Sequence, residues 1–422
     1  MSAPQPALRE YLAEHDLMLF GGAPAVYHCH HFNLFLDQTI DDALGQVAGE
    51  RLRFSAAREF AHDFLVTACA REGATTPVER ISVAQTLFAA MGQGKLQLSV
   101  DPAGGQGRGE FLHYGYSWFE KYGTKVKRLR PADAFAAGFA AAANEVAFGL
   151  PLGSTNAVEG FCIARRDPHC AFTLTAGSPT PAGPKVGAAE IRANVRPAFT
   201  GKSEDEVVKI AAGLRDFTAS VRGDHRGLVQ AFGVYVTLHL SGYYNRISFD
   251  AVRHIEATTP QSVGVLEELL RESGHVCVFN TFGGILLSPE WEGMVGKLSG
   301  DPTQVVLGCA AIARALGFGH WTIADLQPGR RLVMRSPATY ESAYFIARHG
   351  RAARGNDYFF QGAVLAVAQL AHRVDWKSKP KLTQEFYQSL FRGGIPWRAE
   401  QTRGIAKGDE MSEIVVSSTN ST

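Results

Sequence analysis

The chain has 422 residues, enough for two ordinary domains, and its 42 Lys and Arg residues balance 41 Asp and Glu residues to a net charge of +1. No long block of like charges occurs, so neither nucleic acid nor a membrane is expected as a partner. The hydrophobic fraction of 45% is that of a packed globular protein. Six unevenly spaced cysteines favour a reduced compartment, and we expect a cytoplasmic protein.

The first unusual stretch is VYHCHHFN at residues 26–33, where His28, Cys29, His30 and His31 follow one another. In a strand His28 and His30 share one face, whereas in a helix His28 pairs with His31. Either pair could bind a metal, and Cys29 could form a nucleophilic dyad with a histidine, so the four residues are predicted as catalytic. The alternative is that these are polar side chains with ordinary partners. More distant candidate ligands are Glu159, His62, His113 and Asp37.

The hydrophobic periodicity predicts an α+β fold. Helices are predicted over residues 54–72, 82–93 and 131–147, and strands near residues 95–100, 110–114, 158–164 and 169–175. The Gly-rich stretch AGGQGRGE at 103–110 lacks the Lys-Ser/Thr ending of a phosphate-binding loop. It is therefore predicted to be a hairpin or a flexible turn.

The strongest chemical signal is VEGFCIARRDPHCAF at residues 158–172, which contains Glu159, Cys162 and Cys170. A turn at 165–168 would fold one cysteine-bearing strand back beside the other. A carboxylate and two thiolates brought together in this way can hold Zn²⁺. The alternative is that the two cysteines are small buried hydrophobic residues.

A Pro/Gly-rich segment divides the chain. The first unit would span 1–175, a linker 176–202, and a second unit 203–422 with an insertion near 371–393. Ser203 followed by Glu206 predicts a capping box that starts a helix running to about residue 221. The insertion is predicted to contain a helix ended by Gly393 and Gly394.

Several landmarks of the first unit recur in the second in the same order, which predicts two tandem, divergent copies in a pseudo-twofold arrangement. The alignment places Asn33 on Asn245 and Asp133 on Asp357. Opposite the four-residue histidine and cysteine cluster the second copy has LSGY at 240–243, so the cluster is interpreted as an addition to one copy. Further matched pairs are Gly92 with Gly317, Gly94 with Gly319, Gly138 with Gly362, and the segments 149–151 with 394–396 and 162–172 with 404–414.

The spacing Glu159-x2-Cys162-x7-Cys170-x-Phe172, preceded by the helix at 131–147, resembles the end of the 4-vinyl-reductase-type, or hydrocarbon-binding, domain family. This family includes sensory domains of phenol- and xylene-responsive activators. The resemblance covers about 50–175 and, in degenerate form, about 255–416. It implies a structural zinc held by the glutamate and both cysteines.

An earlier cysteine of the family falls near Asp133, which is therefore a candidate fourth ligand. A structural role at a helix start is the alternative for Asp133, because Asp357 recurs there in the second copy. The motif positions of that copy read Gln401, Gly404 and Ser412, so no metal is predicted there.

The resemblance also implies a buried apolar pocket for a small, often aromatic, molecule. Candidate lining residues are His113, Tyr116 and Trp118, with Phe119 beside them. Ordinary core and surface aromatics are the alternative.

The leading hypothesis is a metal-dependent enzyme acting on a small apolar or aromatic-type molecule, with zinc for a sulfur-rich ligand set or iron for a set of His and carboxylates. The second hypothesis is a non-catalytic binding or sensing protein with a structural zinc, and the third is a scaffold or chaperone subunit. A homodimer is compatible with each. The discriminating observation is whether the HCHH side chains open onto a cavity and meet the carboxylate–cysteine set.

Overall fold

The chain folds into helices packed against antiparallel sheets, which confirms the predicted α+β class. The structure, a computed structural model, describes residues 8–184, 186–392 and 396–419. The predicted end of the insertion helix at Gly393 and Gly394, and most of the matched segment 394–396, lie outside these residues. No helix in the described ranges is long and apolar enough to cross a membrane.

In the first half of the chain, a group of strands is followed by a group of helices twice, and two further strands end the half. Its strands are β1 (Arg9–Leu12), β2 (Leu17–Phe20), β3 (Ala23–Cys29), β4 (Gln97–Asp101), β5 (Gly104–Gly109), β6 (Thr155–Phe161) and β7 (Cys170–Ala176). Its helices are α1 (His30–Leu44), α2 (Gln46–Arg71), α3 (Pro77–Ala90), α4 (His113–Tyr122) and α5 (Ala134–Phe148).

The second half begins after a short helix, α6 (Ala188–Asn194), inside the predicted linker. Its strands are β8 (Val229–Ala231), β9 (Val234–Leu240), β10 (Thr322–Gln327), β11 (Arg331–Ser336), β12 (Trp397–Arg403) and β13 (Ser412–Ser418). Its helices are α7 (Glu204–Ser220), α8 (Ser241–Thr258), α9 (Val263–Cys277), α10 (Gly283–Leu286), α11 (Pro289–Met294), α12 (Pro302–Ala315), α13 (Tyr340–His349), α14 (Tyr358–Arg373) and α15 (Gln384–Arg392), with a π-helical stretch at Val278–Phe282.

One five-stranded sheet joins the two halves, in the order β1-β2-β3-β9-β8. Its central pair is antiparallel, with Tyr27 opposite Leu238 and Cys29 opposite Val236. Both central strands are almost wholly buried. The core is therefore continuous across the halves, and each half depends on the other to complete this sheet.

The other two sheets have the same strand order. In the first half it is β4-β5-β7-β6, and in the second half it is β10-β11-β13-β12. Each sheet ends in two strands joined through a 3-10 turn, at Ile163–Arg165 and at Ile405–Lys407. Equal strand order is what the predicted duplication requires, while the pseudo-twofold relation of the halves stays a prediction.

A long helix packs closely on a second helix in each half, and a glycine lies at each contact. A Cβ on Gly138 of α5 would lie 2.5 Å from the carbonyl oxygen of Phe54 in α2. A Cβ on Gly362 of α14 would collide with the backbone of Arg271 in α9. The aligned glycines are thus explained by backbones that approach too closely for a side chain.

The helices predicted over 54–72, 82–93 and 131–147 correspond to α2, α3 and α5, whereas the strand predicted near 110–114 is wrong. Segment 110–114, predicted as a strand, contains the end of a loop and the start of α4, and the Gly-rich stretch is strand β5 of a hairpin. The predicted helix after residue 203 exists as α7, but the capping box is wrong. Ser203 has a φ of 54° and its side chain makes no capping bond.

Candidate metal centre

Four buried side chains of the first half converge beside the start of α5. Asp133 immediately precedes that helix, Glu159 lies on β6, Cys162 follows β6, and Cys170 begins β7. One potential ligand atom from each lies within 4.8 Å of all the others, and each residue is at most 6% exposed. Tetrahedral zinc with bonds of about 2.0–2.3 Å places its ligand atoms roughly 3.3–3.8 Å apart, so a small contraction would suffice.

Backbone amides from two helix starts point into this carboxylate–cysteine cluster. The N–H of Asp133 donates to Glu159 Oε2 at 2.8 Å, and the N–H of Ala132 donates to Cys162 Sγ at 3.4 Å. The N–H of Gly115, in the first turn of α4, donates to Asp133 Oδ2 at 3.0 Å. Amides and helix dipoles at these positions stabilise negative charge, as an anionic ligand set requires.

The protonation of the cluster is dominated by burial and by the neighbouring thiols. Burial, reinforced by Cys162, raises the pKa values of Asp133 and Glu159 well above their usual range. The hydrogen bond from Cys170 lowers the pKa of Cys162 to about 6, while the same bond and burial raise the pKa of Cys170. Without a cation this set therefore holds protons, and a divalent cation would displace them.

Two oxygens of the cluster have no hydrogen-bond partner among the described residues. They are Asp133 Oδ1 and Glu159 Oε1, and both are buried. A buried carboxylate oxygen without a partner is costly, because it has lost its water and gained nothing in exchange. Both atoms belong to the cluster, so a cation bound there would satisfy them.

The matching place in the second half is satisfied by hydrogen bonds alone. Asp357 precedes α14, and its Oδ1 accepts from the hydroxyls of Thr339 and Ser342. Its Oδ2 accepts from Gln401 Nε2 at 2.6 Å and from the Ser412 hydroxyl. Both carboxylate oxygens of Asp357 thus have hydrogen-bond partners within the protein.

The backbones around the two places are alike even though the side chains differ. Cys162 has φ −146° and ψ 129°, and Gly404 has φ −146° and ψ 128°. The N–H of Cys162 donates to Asp167 at 2.8 Å, and that of Gly404 donates to Asp409 at 2.7 Å. The backbone of this turn is thus the same in both halves, whereas the positions of Cys162 and Cys170 hold Gly404 and Ser412 in the second half.

The HCHH segment does not reach the cluster. Strand β3 ends at Cys29 and helix α1 begins at His30, so the segment is neither wholly extended nor wholly helical. The rings of His30 and His31 are 3.9 Å apart, and His30 Nδ1 accepts from the backbone N–H of Tyr235 at 3.1 Å. Within the described residues, no group of three or more metal-ligating side chains includes any member of HCHH.

His28 lies in the aromatic core of the second half. Its ring stacks on Phe32 at 3.7 Å and meets the edges of Phe318 and Phe359 at 5.0 and 5.1 Å. Its Nδ1 lies 3.4 Å from Cys277 Sγ, and burial lowers its pKa well below the usual value. Only neutral imidazole is stable in these surroundings.

Counting from the strand–helix junctions changes the alignment of this segment. Cys29 and Leu240 are the last residues of β3 and β9, so His28 corresponds to His239 and not to Leu240. His239 is also fully buried, and it lies in the core of the first half, 4.2 Å from the ring of Phe135. The interpretation that the second copy lacks this histidine rests on an alignment that differs by one residue from the one given by the strand ends.

Cys29 is fully buried at the start of α1. Burial alone would raise its pKa, but hydrogen bonds with Cys277, Thr281 and the backbone at His31 and Phe32 lower the pKa to about 7. His28 contacts Cys277 and not Cys29, so His28 does not supply the base of the predicted Cys–His dyad.

The predicted pocket residues point in different directions because they lie around one helix. His113 is buried and bound by Asn33, whereas Tyr116 and Phe119 line an open surface groove. Trp118 packs against Tyr122 at 5.6 Å. The structure therefore does not bring the predicted set together in one pocket.

A buried polar network around His113 was not predicted. Asn33 Nδ2 lies 2.9 Å from His113 Nε2, and Asn33 Oδ1 accepts from the hydroxyl of Tyr244 at 2.6 Å. The Tyr114 hydroxyl lies 3.2 Å from His239 Nε2. Only His113 and the aligned Asn33 carried a signal in the sequence, since His239 and Tyr244 lie more than 100 residues further along the chain.

Comparisons with known proteins give little. No family model matches the chain, and no curated protein matches it. Among solved structures, the chain is similar to the phenol-responsive sensory domain of the transcription activator PoxR with phenol, at 15% identity and a TM-score of 0.35, over 41% of this chain and 86% of that chain.

Proposed function

We propose that the chain is a non-catalytic small-molecule-binding protein whose first half is stabilised by one structural zinc. The observation that carries the zinc is the contrast between the halves. Asp357 has four side-chain donors, whereas Asp133 and Glu159 each keep a buried oxygen without a partner beside two thiols. A metal accounts for the difference.

A structural role is favoured over a catalytic one because the four ligands fill a tetrahedral set. Catalytic zinc keeps one position for water or substrate, whereas structural zinc has four protein ligands. His28 contacts the aromatic core, and His30 and His31 contact each other and Tyr235, so among the described residues these histidines do not join the carboxylate–cysteine cluster. The sulfur-containing ligands favour zinc over iron.

The proposed aromatic ligand would bind beside His113, a buried residue in the first turn of α4. Its Nε2 faces the Asn33 amide, and its Nδ1 is buried without a partner in the described residues. Tyr114 and His239 border the same network. A phenol hydroxyl would supply the missing acceptor, while the ring would meet aromatic neighbours.

The zinc is tested by elemental analysis of protein purified without a His tag. We expect one zinc per chain, and none after the double change Cys162→Ser and Cys170→Ser. Zinc free at about 1,000 times its Kd stabilises a protein by about 4 kcal/mol, so the double variant should unfold correspondingly earlier. Cys309→Ser, a buried cysteine with no part in the cluster, is the matched control. Unchanged metal content and stability in the double variant would contradict the proposed zinc site.

The binding function is tested by titrating phenol into the zinc-loaded protein and recovering the phenol afterwards. We expect saturable binding that His113→Phe weakens, with all phenol recovered unchanged under air. Conversion of the phenol would favour the enzyme hypothesis instead. Absence of saturable binding would contradict the proposed aromatic ligand and would not affect the proposal of a structural zinc.

A further inference from the structure

A cavity in the second half lies between the segment 286–298, at the end of α10 and through α11, and the 3-10 turn Trp376–Ser378. Its volume is about 170 Å³, and an apolar protein cavity of about 150 Å³ is large enough to bind benzene. It shares no lining residue with the carboxylate–cysteine cluster or the His113 network. Its walls are mainly apolar and include two tryptophans: Leu286, Leu287, Trp291, Leu298 and Trp376.

Trp291 has an indole N–H that lacks an acceptor. The residue is 1% exposed, and its Nε1 is buried with no hydrogen-bond partner among the described residues. The other tryptophan of the cavity, Trp376, donates its indole N–H to the carbonyl oxygen of Leu370 at 3.0 Å. The ring of Trp291 packs on α12, where a Cβ on Gly308 would lie 2.7 Å from its Cη2. A buried donor without an acceptor is costly, so Trp291 favours a ligand that carries an acceptor atom.

Three lysines and one glutamate line the same cavity, which gives its charged lining a net charge of +2. The carboxylate of Glu292 lies 2.7 Å from Lys379 Nζ and 3.5 Å from Lys297 Nζ, so one carboxylate serves two ammonium groups. The third lysine, Lys377, forms no ion pair within the part of the chain that the structure describes. The side chains of Lys297 and Lys379 are 78% and 60% exposed, so the positive charge lies where the cavity meets solvent.

We propose that this cavity binds a small aromatic anion. The ring would lie among the apolar side chains, where the tryptophans favour another aromatic ring, and the anionic group would meet the lysine ammonium groups. An oxygen of the anion would also accept the Trp291 N–H. Lysine acts as a mobile point charge, so the lysines select the charge of the ligand and the cavity selects its size. The proposal goes beyond the proposed function, because it needs neither zinc nor His113.

The test compares benzoate, benzyl alcohol and cyclohexanecarboxylate by isothermal titration of the full-length, zinc-loaded protein at low salt. Benzyl alcohol has the aromatic ring without the charge, and cyclohexanecarboxylate has the charge without the aromatic ring. We expect benzoate to bind about 3-fold more tightly than either of them, or better. Raising the salt to about 0.5 M should weaken benzoate and leave benzyl alcohol unchanged, because exposed ammonium groups are screened.

Three variants test the residues that carry the proposal. Lys379→Gln should weaken benzoate by about 3-fold, as expected for the loss of an exposed ion pair. Glu292→Gln should strengthen it, because this change removes the carboxylate that competes for Lys297 and Lys379. Trp291→Phe keeps an aromatic ring but removes the N–H, and it should weaken benzoate by about 10-fold.

Two control variants separate this site from general charge effects and from the first half. Lys202→Gln is matched to Lys379→Gln, because Lys202 is 56% exposed and pairs with Asp325 at 3.0 Å but does not line the cavity. Lys202→Gln and His113→Phe should both leave benzoate affinity unchanged, and circular dichroism confirms that each variant is folded. The proposal would be overturned by absence of benzoate binding, by equal affinity for benzoate and benzyl alcohol, or by Lys379→Gln and Glu292→Gln shifting the affinity in the same direction. Equal affinity for benzoate and cyclohexanecarboxylate would overturn the assignment of an aromatic ligand.

Discussion

Gly115 lies directly against the carboxylate–cysteine cluster, and its N–H donates to Asp133 Oδ2. A Cβ at this position would collide with Asp133 Oδ2 and lie 3.2 Å from Cys170 Sγ and 3.4 Å from Cys162 Sγ. Alanine ordinarily stabilises a helix relative to glycine by about 1 kcal/mol, so helix propensity alone predicts a gain. Gly115→Ala is instead expected to lose zinc and stability, because the added methyl group displaces ligands.

The measurement is zinc content together with the melting temperature. Gly160→Ala in β6 is the control, because a Cβ there would have no atom within 4 Å. If Gly115→Ala kept one zinc per chain and melted no earlier, the position of the cluster in the structure would be wrong.

His239 gives a pH dependence with a definite sign. Burial lowers its pKa from 6.5 to about 3 in the folded protein, so the unfolded chain binds a proton between these values and the folded chain does not. Its contribution to stability is therefore lost as the pH falls below 6.5. From pH 7.5 to pH 5.5 this single histidine costs about 1.4 kcal/mol.

The measurement is the free energy of unfolding in urea, determined for the wild type and for His239→Gln at pH 7.5 and at pH 5.5. The destabilisation caused by the substitution should shrink by about 1.4 kcal/mol at the lower pH, because the variant no longer takes up that proton. The exposed His254→Gln serves as control, with no change expected. An unchanged difference for His239→Gln would mean that His239 is accessible to protons in the folded state.

At the residue scale, the sequence indicated the metal candidates better than the histidines. Glu159, Cys162 and Cys170 lie within 12 residues, so one turn brings them together, and only Asp133 needed the resemblance. His28 could not be placed, because its surroundings depend on Phe318 and Phe359, about 300 residues away along the chain.

At the scale of elements, the turn between the last two strands of each four-stranded sheet has the same backbone conformation in both halves but different side chains. The turn after β12 has the backbone of the turn after β6, and Ser342 of α13 takes the place that Gly115 has in α4. We predict that four changes create a second metal site beside Asp357: Ser342→Gly, Gln401→Glu, Gly404→Cys and Ser412→Cys. The backbone at Gly404 already has the angles of Cys162, so no main-chain strain is introduced.

Elemental analysis should then give two zinc ions per chain in place of one. The control carries the same changes except Gly404→Cys and should stay near one, because a set of three ligands binds zinc less tightly. A folded four-fold variant that still held one zinc would contradict the equivalence of the two turns.

Elements were predictable where local patterns were unambiguous. The helix predicted over residues 82–93 is α3, Pro77–Ala90, and its earlier start is set by Pro77 and the capping box of Thr76 and Glu79, which was not predicted. The sequence does not decide between strand and helix at residues 28–31, because helix α1 begins directly after strand β3 with no turn residue between them. Helix α4 was missed because its aromatic residues face both the core and the surface groove, which blurs the periodicity of a helix.

At the scale of the whole molecule, the two halves exchange core residues. His28 of the first half contacts Phe318 of the second, and His239 of the second contacts Phe135 of the first, on the same face of the β3–β9 pair. We therefore predict that residues 1–184 and 185–422, expressed as separate chains with a tag on one, co-purify as a 1:1 complex. Neither chain alone should show cooperative unfolding by circular dichroism. A monomeric first half that unfolds cooperatively would show that the halves are independent domains, as the sequence alone suggested.

The separation of β3 and β9 along the chain also delays their pairing while the protein is being synthesised. Strand β3 is complete at Cys29, while β9 begins at Val234, and a ribosome adding about 5–20 residues per second needs about 10–40 s for the roughly 200 residues between them. Throughout that interval one edge of β3 stays unpaired, with an apolar sequence and no charged residue to discourage other strands. The speed of translation of the second half thus decides how long the nascent chain is exposed to aggregation.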